Sequence, residues 1–209
     1  MSKLEKEYNA KYGHLPDDHT SQLDYILDNY KVNMETVNSE IMKIESLKWN
    51  ELSISLNIIP KPSPRPRSSH GHFYVKGAKD HKSYFESIVD EKMIICTRVD
   101  LSITTYHPIP TSAMSASEIY LAQLGYIDPI SNPDWDNLGK TYSDMIQGIL
   151  LLNDNIVNPG LVRKKYSIKP KIDILIRYQD GFDSKFNERK IITSKNYIIY
   201  DDLGLIKKG

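Results

Sequence analysis

Asn132-Pro133-Asp134-Trp135-Asp136-Asn137-Leu138-Gly139-Lys140, continued by Asp144 and Asp154, is the stretch around which the chain is organised. Pro133 restricts Asn132 to extended geometry, so the chain arrives here non-helical. Beyond it Leu138, Tyr142, Met145, Ile146 and Ile149 recur at helical spacing, which predicts a helix starting near Asp136. Asp136, Lys140 and Asp144 then fall at i, i+4 and i+8 on its more polar face, with Asp134 in the lead-in. Gly148 and the turn-like cluster Asn153-Asp154-Asn155 mark its far end.

Two carboxylates at the mouth of a helix, a lysine one turn in and a third carboxylate past the far end suit a divalent metal on a phosphate. Mg²⁺ takes hard oxygen ligands, keeps several waters and is bound by few carboxylates plus substrate phosphate oxygens. Such an ion lowers the pKa of an attacking water, and a nearby lysine neutralises charge building on the phosphate or the leaving oxygen. A plainer reading of the same residues stands beside this one. Asp before a helix is a common N-cap, an acid in a first turn suits the helix dipole, and Asp136–Lys140 is an ordinary surface spacing.

The run Pro133-Asp134-Trp135-Asp136-Asn137-Leu138-Gly139-Lys140, then Asp144 and Asp154, resembles the RusA family of Holliday-junction resolvases, especially its phage-encoded branch. Ile59-Pro60-Lys61-Pro62-Ser63-Pro64-Arg65-Pro66-Arg67 is similar to the family's Pro-rich basic segment, and Pro108 to Ser115 to its proline–serine segment. The resemblance spans residues 51 to 178. It implies that Asp134, Asp136 and Asp154 are catalytic metal ligands for Mg²⁺ or Mn²⁺, that Lys140 is needed for cleavage, and that Asn137 matches the family's Asn. It also implies a homodimer making paired nicks that leave 5′-phosphates. A two-fold pair of sites suits the near two-fold symmetry of a four-way junction. Three departures stand out: Asn153 replaces the first of a pair of acids, Ile156 replaces a Gln, and Ala116-Ser117-Glu118 replaces a Lys-rich run.

The chain has 209 residues, with 27 Lys plus Arg against 27 Asp plus Glu, so its net charge is zero. The charge is unevenly spread. Residues 61–82 and 160–171 are basic, and a basic patch on one face is what DNA binding needs. Lys61, Arg65 and Arg67 in the Pro-rich arm, and Arg163, Lys164 and Lys165 at a strand edge within the second basic stretch, are the expected phosphate contacts. The single cysteine, Cys96, excludes an internal disulfide and reads as a buried small residue. No apolar run is long enough to span a membrane. The expected location is cytoplasmic. His70, His72 and His81 lack the companion ligands of a structural zinc site.

Along the chain, Leu23, Ile26, Leu27, Tyr30, Met34, Val37, Ile41 and Ile44 predict one long amphipathic helix over about 21–47, begun by Ser21 with Asp24 three on. Its apolar stripe packs on its own domain or on a partner. Period-two alternation predicts strands over Leu52–Ile58, Val99–Thr105 and Ile172–Tyr178, with a further strand edge at 157–166. Helices are expected over 80–95 and near 115–124, the latter capped by Ser115 with Glu118 three on. The tail from Gln179 suggests an added hairpin. The expected fold is α+β: a mixed sheet of about four strands with packed helices, preceded by the long helix. The expected domains are 1–50, 51–178 and 179–209. The functional expectation is a Mg²⁺-dependent endodeoxyribonuclease that resolves branched DNA in recombination and repair. Its rivals are a non-catalytic DNA-binding or replication-accessory protein of the same fold, and a nuclease of flaps or simple duplex.

Overall fold

The computed structural model describes residues 2–13, 18–62, 67–69, 72–74, 79–89, 94–194, 197–200 and 204–207. The chain divides into two compact units, Met1–Ser46 and Leu47–Gly209.

The first unit holds helices α1 (Lys3–Tyr12), α2 (His19–Asn29) and α3 (Met34–Ser46). The amphipathic helical segment is present, but it is divided between α2 and α3. Tyr30 leaves helical geometry for extended backbone, and the Asn33 carboxamide oxygen accepts from the Thr36 N–H at 3.1 Å, the bond by which an Asn starts a helix. The apolar stripe runs through this break unchanged, so periodicity alone could not locate it. Asp18 caps α2, accepting from the Ser21 N–H at 2.8 Å, in place of the expected Ser21. Tyr25 packs edge to face with Tyr8 and Tyr12, which are tilted against each other, with centroids 4.7 to 5.9 Å apart.

The second unit is built on a four-stranded sheet of β1 (Trp49–Leu56), β4 (Val99–Pro108), β5 (Val157–Ser167) and β6 (Lys171–Gln179), in the order β1-β6-β4-β5. The β6 strand lies antiparallel to both β1 and β4, while β5 runs parallel to β4. A parallel pair needs a crossover. Here it carries α5 (Ala116–Leu124) and α6 (Trp135–Ile146). The fold is therefore α+β with a mixed sheet.

After the Pro-rich segment, β2 (Arg67–Ser69) pairs with β3 (His72–Tyr74) in a small antiparallel hairpin. Helix α4 is Lys79–Ile88; of the rest of the expected helix, residues 90–93 lie outside the described residues and Ile95 bridges to Leu151. Beyond the sheet come α7 (Lys185–Ser194) and a hairpin of β7 (Tyr197–Tyr200) and β8 (Gly204–Lys207), in keeping with the expected hairpin.

One face of the sheet makes the core. Strand alternation turns Val99, Leu101 and Ile103 of β4 inward with Ile172, Ile174 and Ile176 of β6. Leu138, Tyr142, Met145 and Ile146 of α6, with Phe85 of α4, pack into the same cluster. Each such side chain, fully buried, contributes about 1.5–3 kcal/mol. Among the described residues no helix is long and apolar enough to cross a membrane.

Candidate active site

Helix α6 begins where the proline predicts. Asp134 is its N-cap in extended geometry (φ −64°, ψ 144°), yet its side chain makes no capping hydrogen bond. Asp134 thus occupies the N-cap position of the plainer reading without the side-chain bond of a capping residue. Asp136 lies in the first turn, where the dipole favours a negative charge.

Asp136 and Lys140 of α6 line one cavity of about 390 Å³ together with Asp154. Its floor is apolar, made by Leu101, Ile103, Val157 and Val162, and Trp135 stands at its edge, 66% exposed. The glycine in the motif has a steric reason. A Cβ on Gly139 would sit 2.8 Å from Val162 Cγ2, so only glycine lets α6 lie this close to β5. Lys140 Nζ is 3.6 Å from Asp144, and both side chains are well exposed. Such a pair is worth little, so turning Lys140 toward a phosphate costs little.

Asp154 opens a short 3-10 turn, Asp154–Ile156. Asn153 caps that turn, its side-chain oxygen accepting from the Asn155 N–H at 3.1 Å. Asn and Asp cap about equally well, so an asparagine at 153 leaves the presentation of Asp154 intact. Ile156, the second departure, packs against the core. A larger cavity of about 460 Å³ lies against the other side of this turn, lined also by Asn187 and Lys190 of α7, and shares neither Asp136 nor Asp154.

The Pro-rich segment is tied to α6 through its main chain. The Tyr142 hydroxyl accepts from the Lys61 N–H at 3.0 Å and donates to the Lys61 carbonyl at 3.3 Å. Burial pushes the Tyr142 phenol up to about 12, so this anchor stays protonated over the whole neutral range. The Lys61 side chain is left exposed. Sequence reading placed Tyr142 in the buried stripe and missed this bond. The signal was available, because a buried tyrosine hydroxyl usually finds a partner. Arg65 lies outside the described residues, and Arg67 begins β2. Asn137 sits on the first turns of α6, where its carbonyl accepts from the Thr141 hydroxyl at 2.6 Å.

The basic run of β5 is not one surface. Alternation puts Lys164 on the Val162 side, toward α6, and Arg163 and Lys165 on the opposite side. Lys165 Nζ pairs with Asp128 at 2.7 Å. Lys164 Nζ donates to the carbonyls of Ser131 and Pro133 at 2.8 and 3.1 Å. Arg163 is exposed. The three residues expected to track phosphates side by side thus have three different surroundings.

Among the described residues no group of three or more His, Cys, Asp or Glu side chains is placed to hold one ion. The donors on the cavity are two carboxylates, Asp136 and Asp154, with Asp134 beside the first in sequence. This set fits Mg²⁺, which is commonly bound by one or two carboxylates and completes its octahedron with waters and substrate phosphate.

The model of the RusA endodeoxyribonuclease family matches residues 57–177. The chain is also similar to the uncharacterized protein YqaN of Bacillus subtilis (strain 168), 28% identical over 127 residues, which cover 56% of this chain and 89% of that protein. Helix α6, the Asp154 turn, the sheet partners that floor the cavity and the Lys61 anchor all fall within the family match, and the chain belongs to the RusA endodeoxyribonuclease family.

Proposed function

We propose that this chain cuts four-way DNA junctions as a Mg²⁺- or Mn²⁺-dependent endodeoxyribonuclease acting as a homodimer, in DNA recombination and repair. The observation that carries the reading is the convergence of Asp136, Lys140 and Asp154, from two separate elements, on one cavity. Asp136 and Asp154 would hold the ion, with Asp134 assisting from the N-cap. When bound, the ion supplies Lewis-acid stabilisation of the phosphate and eases deprotonation of water. Lys140 swings from Asp144 to neutralise charge on the scissile phosphate or the leaving oxygen. Trp135, exposed at the cavity's edge, suits stacking on a base unpaired at the branch point.

Lys61 and Arg163, both exposed, and Arg65 and Arg67 of the Pro-rich segment supply phosphate contacts. Binding of this kind reads backbone and shape, so it weakens steeply with salt. The dimer reading draws on an exposed apolar surface. Tyr120 (68% exposed) and Leu124 (55%) lie on α5, and Ile168 (72%) is joined to that helix by its N–H on Gln123 Oε1 at 2.8 Å. Apolar clusters of this kind mark interaction sites.

The test is cleavage of a labelled four-way junction and a matched linear duplex in Mg²⁺, by the wild type and by Asp136→Asn. The expected result is symmetric nicking of the junction, lost in the variant. Tight junction binding without cutting in Mg²⁺ or Mn²⁺ would leave a non-catalytic DNA-binding protein. Equal cutting of both substrates would keep the nuclease and discard the junction preference.

A further inference from the structure

Lys164 is the basic residue whose surroundings differ most from what its sequence context suggests. Its ammonium spans the Ser131 and Pro133 carbonyls at 2.8 and 3.1 Å. The second of these belongs to the peptide bond that enters Asp134, so Lys164 holds the plane from which the N-cap carboxylate departs. Asp134 stands at the N-cap of α6, directly after that peptide bond. Lys164 reaches the lead-in from the next strand. It lies beside Thr105 in the β4–β5 register, on the side of Val162 that Gly139 lets α6 approach. Below it Thr105 and His107 are buried and joined through Thr105 Oγ1 and His107 Nε2 at 3.1 Å. The lysine thus stands on a packed, polar support and points at one short segment. Two of its three donors are already used there, and an ammonium bound to two carbonyls gives them up for a phosphate at a cost.

We infer that Lys164 is a positioning residue for Asp134, fastening the lead-in of the metal-binding helix rather than contacting DNA phosphate. The inference rests on the proposed function for the role of Asp134, and it deepens that reading by separating the basic residues into those that bind DNA and one that orders the site.

The two roles make opposite forecasts. Lys164→Met keeps the stem and removes the donors and the charge, whereas Lys164→Gln removes the charge and keeps donors. Three readouts are taken on the full chain: amide hydrogen exchange over residues 129–136, junction affinity against salt in Ca²⁺, and kcat and KM in Mg²⁺. A positioning lysine predicts about tenfold faster exchange across the lead-in for Lys164→Met. It also predicts a lower kcat with KM and the salt slope unchanged, and partial recovery of both exchange and kcat in Lys164→Gln. Unchanged exchange, with a salt slope lower by about one in both variants and no recovery by Gln, would overturn the inference and return Lys164 to the phosphate contacts. If Lys164→Met does not fold, exchange and salt slope in Lys164→Gln decide by the same signs. A wild type that never cuts junctions would sink the proposed function, while the exchange arm would still judge Lys164.

Discussion

Helices α3 and α6 are nearly the same length, 13 and 12 residues, and both carry an apolar stripe at helical spacing. They end in opposite conditions. Helix α6 buries Leu138, Thr141, Tyr142, Met145 and Ile146, whereas α3 buries no residue and leaves Met34 50%, Ile41 45% and Met42 72% exposed. A stripe specifies which face of a helix is apolar, not whether anything covers it. What covers α6 is the inward face of the sheet together with α4. That cover is also what makes α6 a site, because its opposite face is then held at a fixed height over β5 and the Asp154 turn.

The most direct way to break this comparison is to truncate one stripe residue on each helix. Leu138→Ala, at 0% exposure, is expected to cost about 2–5 kcal/mol in urea unfolding. Ile41→Ala is expected to stay within about 0.5 kcal/mol. Equal losses would mean that α3 is covered after all. A smaller effect is expected at the contact that sets the height of α6. Gly139→Ala puts a methyl 2.8 Å from Val162 Cγ2. Overpacking of this kind costs about 1–3 kcal/mol, and it should lower kcat more than it weakens junction binding. Gly139→Ala combined with Val162→Ala should recover much of both, and failure to recover would place the cause elsewhere.

The smallest effect expected is a pH dependence confined to the covered face. Burial, and then the nearby charge of Lys164, hold His107 below the ordinary histidine range. The unfolded chain therefore takes up a proton at a pH where the folded chain does not. The contribution of His107 is fully present above its unfolded pKa and is lost as pH falls below it. Urea unfolding between pH 7 and 5 should show stability falling in the wild type, with a shallower fall in His107→Gln. A steeper fall in the variant would contradict the assignment.

Much of this arrangement was legible in the sequence. Alternating Ile172, Ile174 and Ile176, and Val99, Leu101 and Ile103, gave the central strands, because a sheet with one buried face enforces a period of two. The start of α6 followed from Pro133 and the stripe after it. The acids were visible as a spacing and acquired a chemical meaning from the family resemblance. Other features depend on contacts between distant segments, which spacing does not encode. Nothing local says that the helical stripe breaks at Asn33, since Asn33 competes for the Thr36 N–H without altering the hydrophobic pattern. Alternation alone puts Lys164 and Lys165 on opposite sides of β5, but nothing local names the partner of either. Their partners, the Ser131 and Pro133 carbonyls and the Asp128 carboxylate, arrive from the crossover some thirty residues earlier. The Gly139–Val162 approach and the Tyr142–Lys61 anchor are of the same kind.

The proposed function requires Asp136 and Asp154, from two elements, to act as one unit on one ion. Its most direct test is calorimetric titration of Mn²⁺ into the wild type, Asp136→Asn, Asp154→Asn and the double variant. Each single substitution is expected to weaken binding by about tenfold or more, and the double variant to be little worse than either single one, the non-additivity of groups that share a ligand. Losses that simply add, or an Asp154→Asn that binds Mn²⁺ as the wild type does, would contradict it.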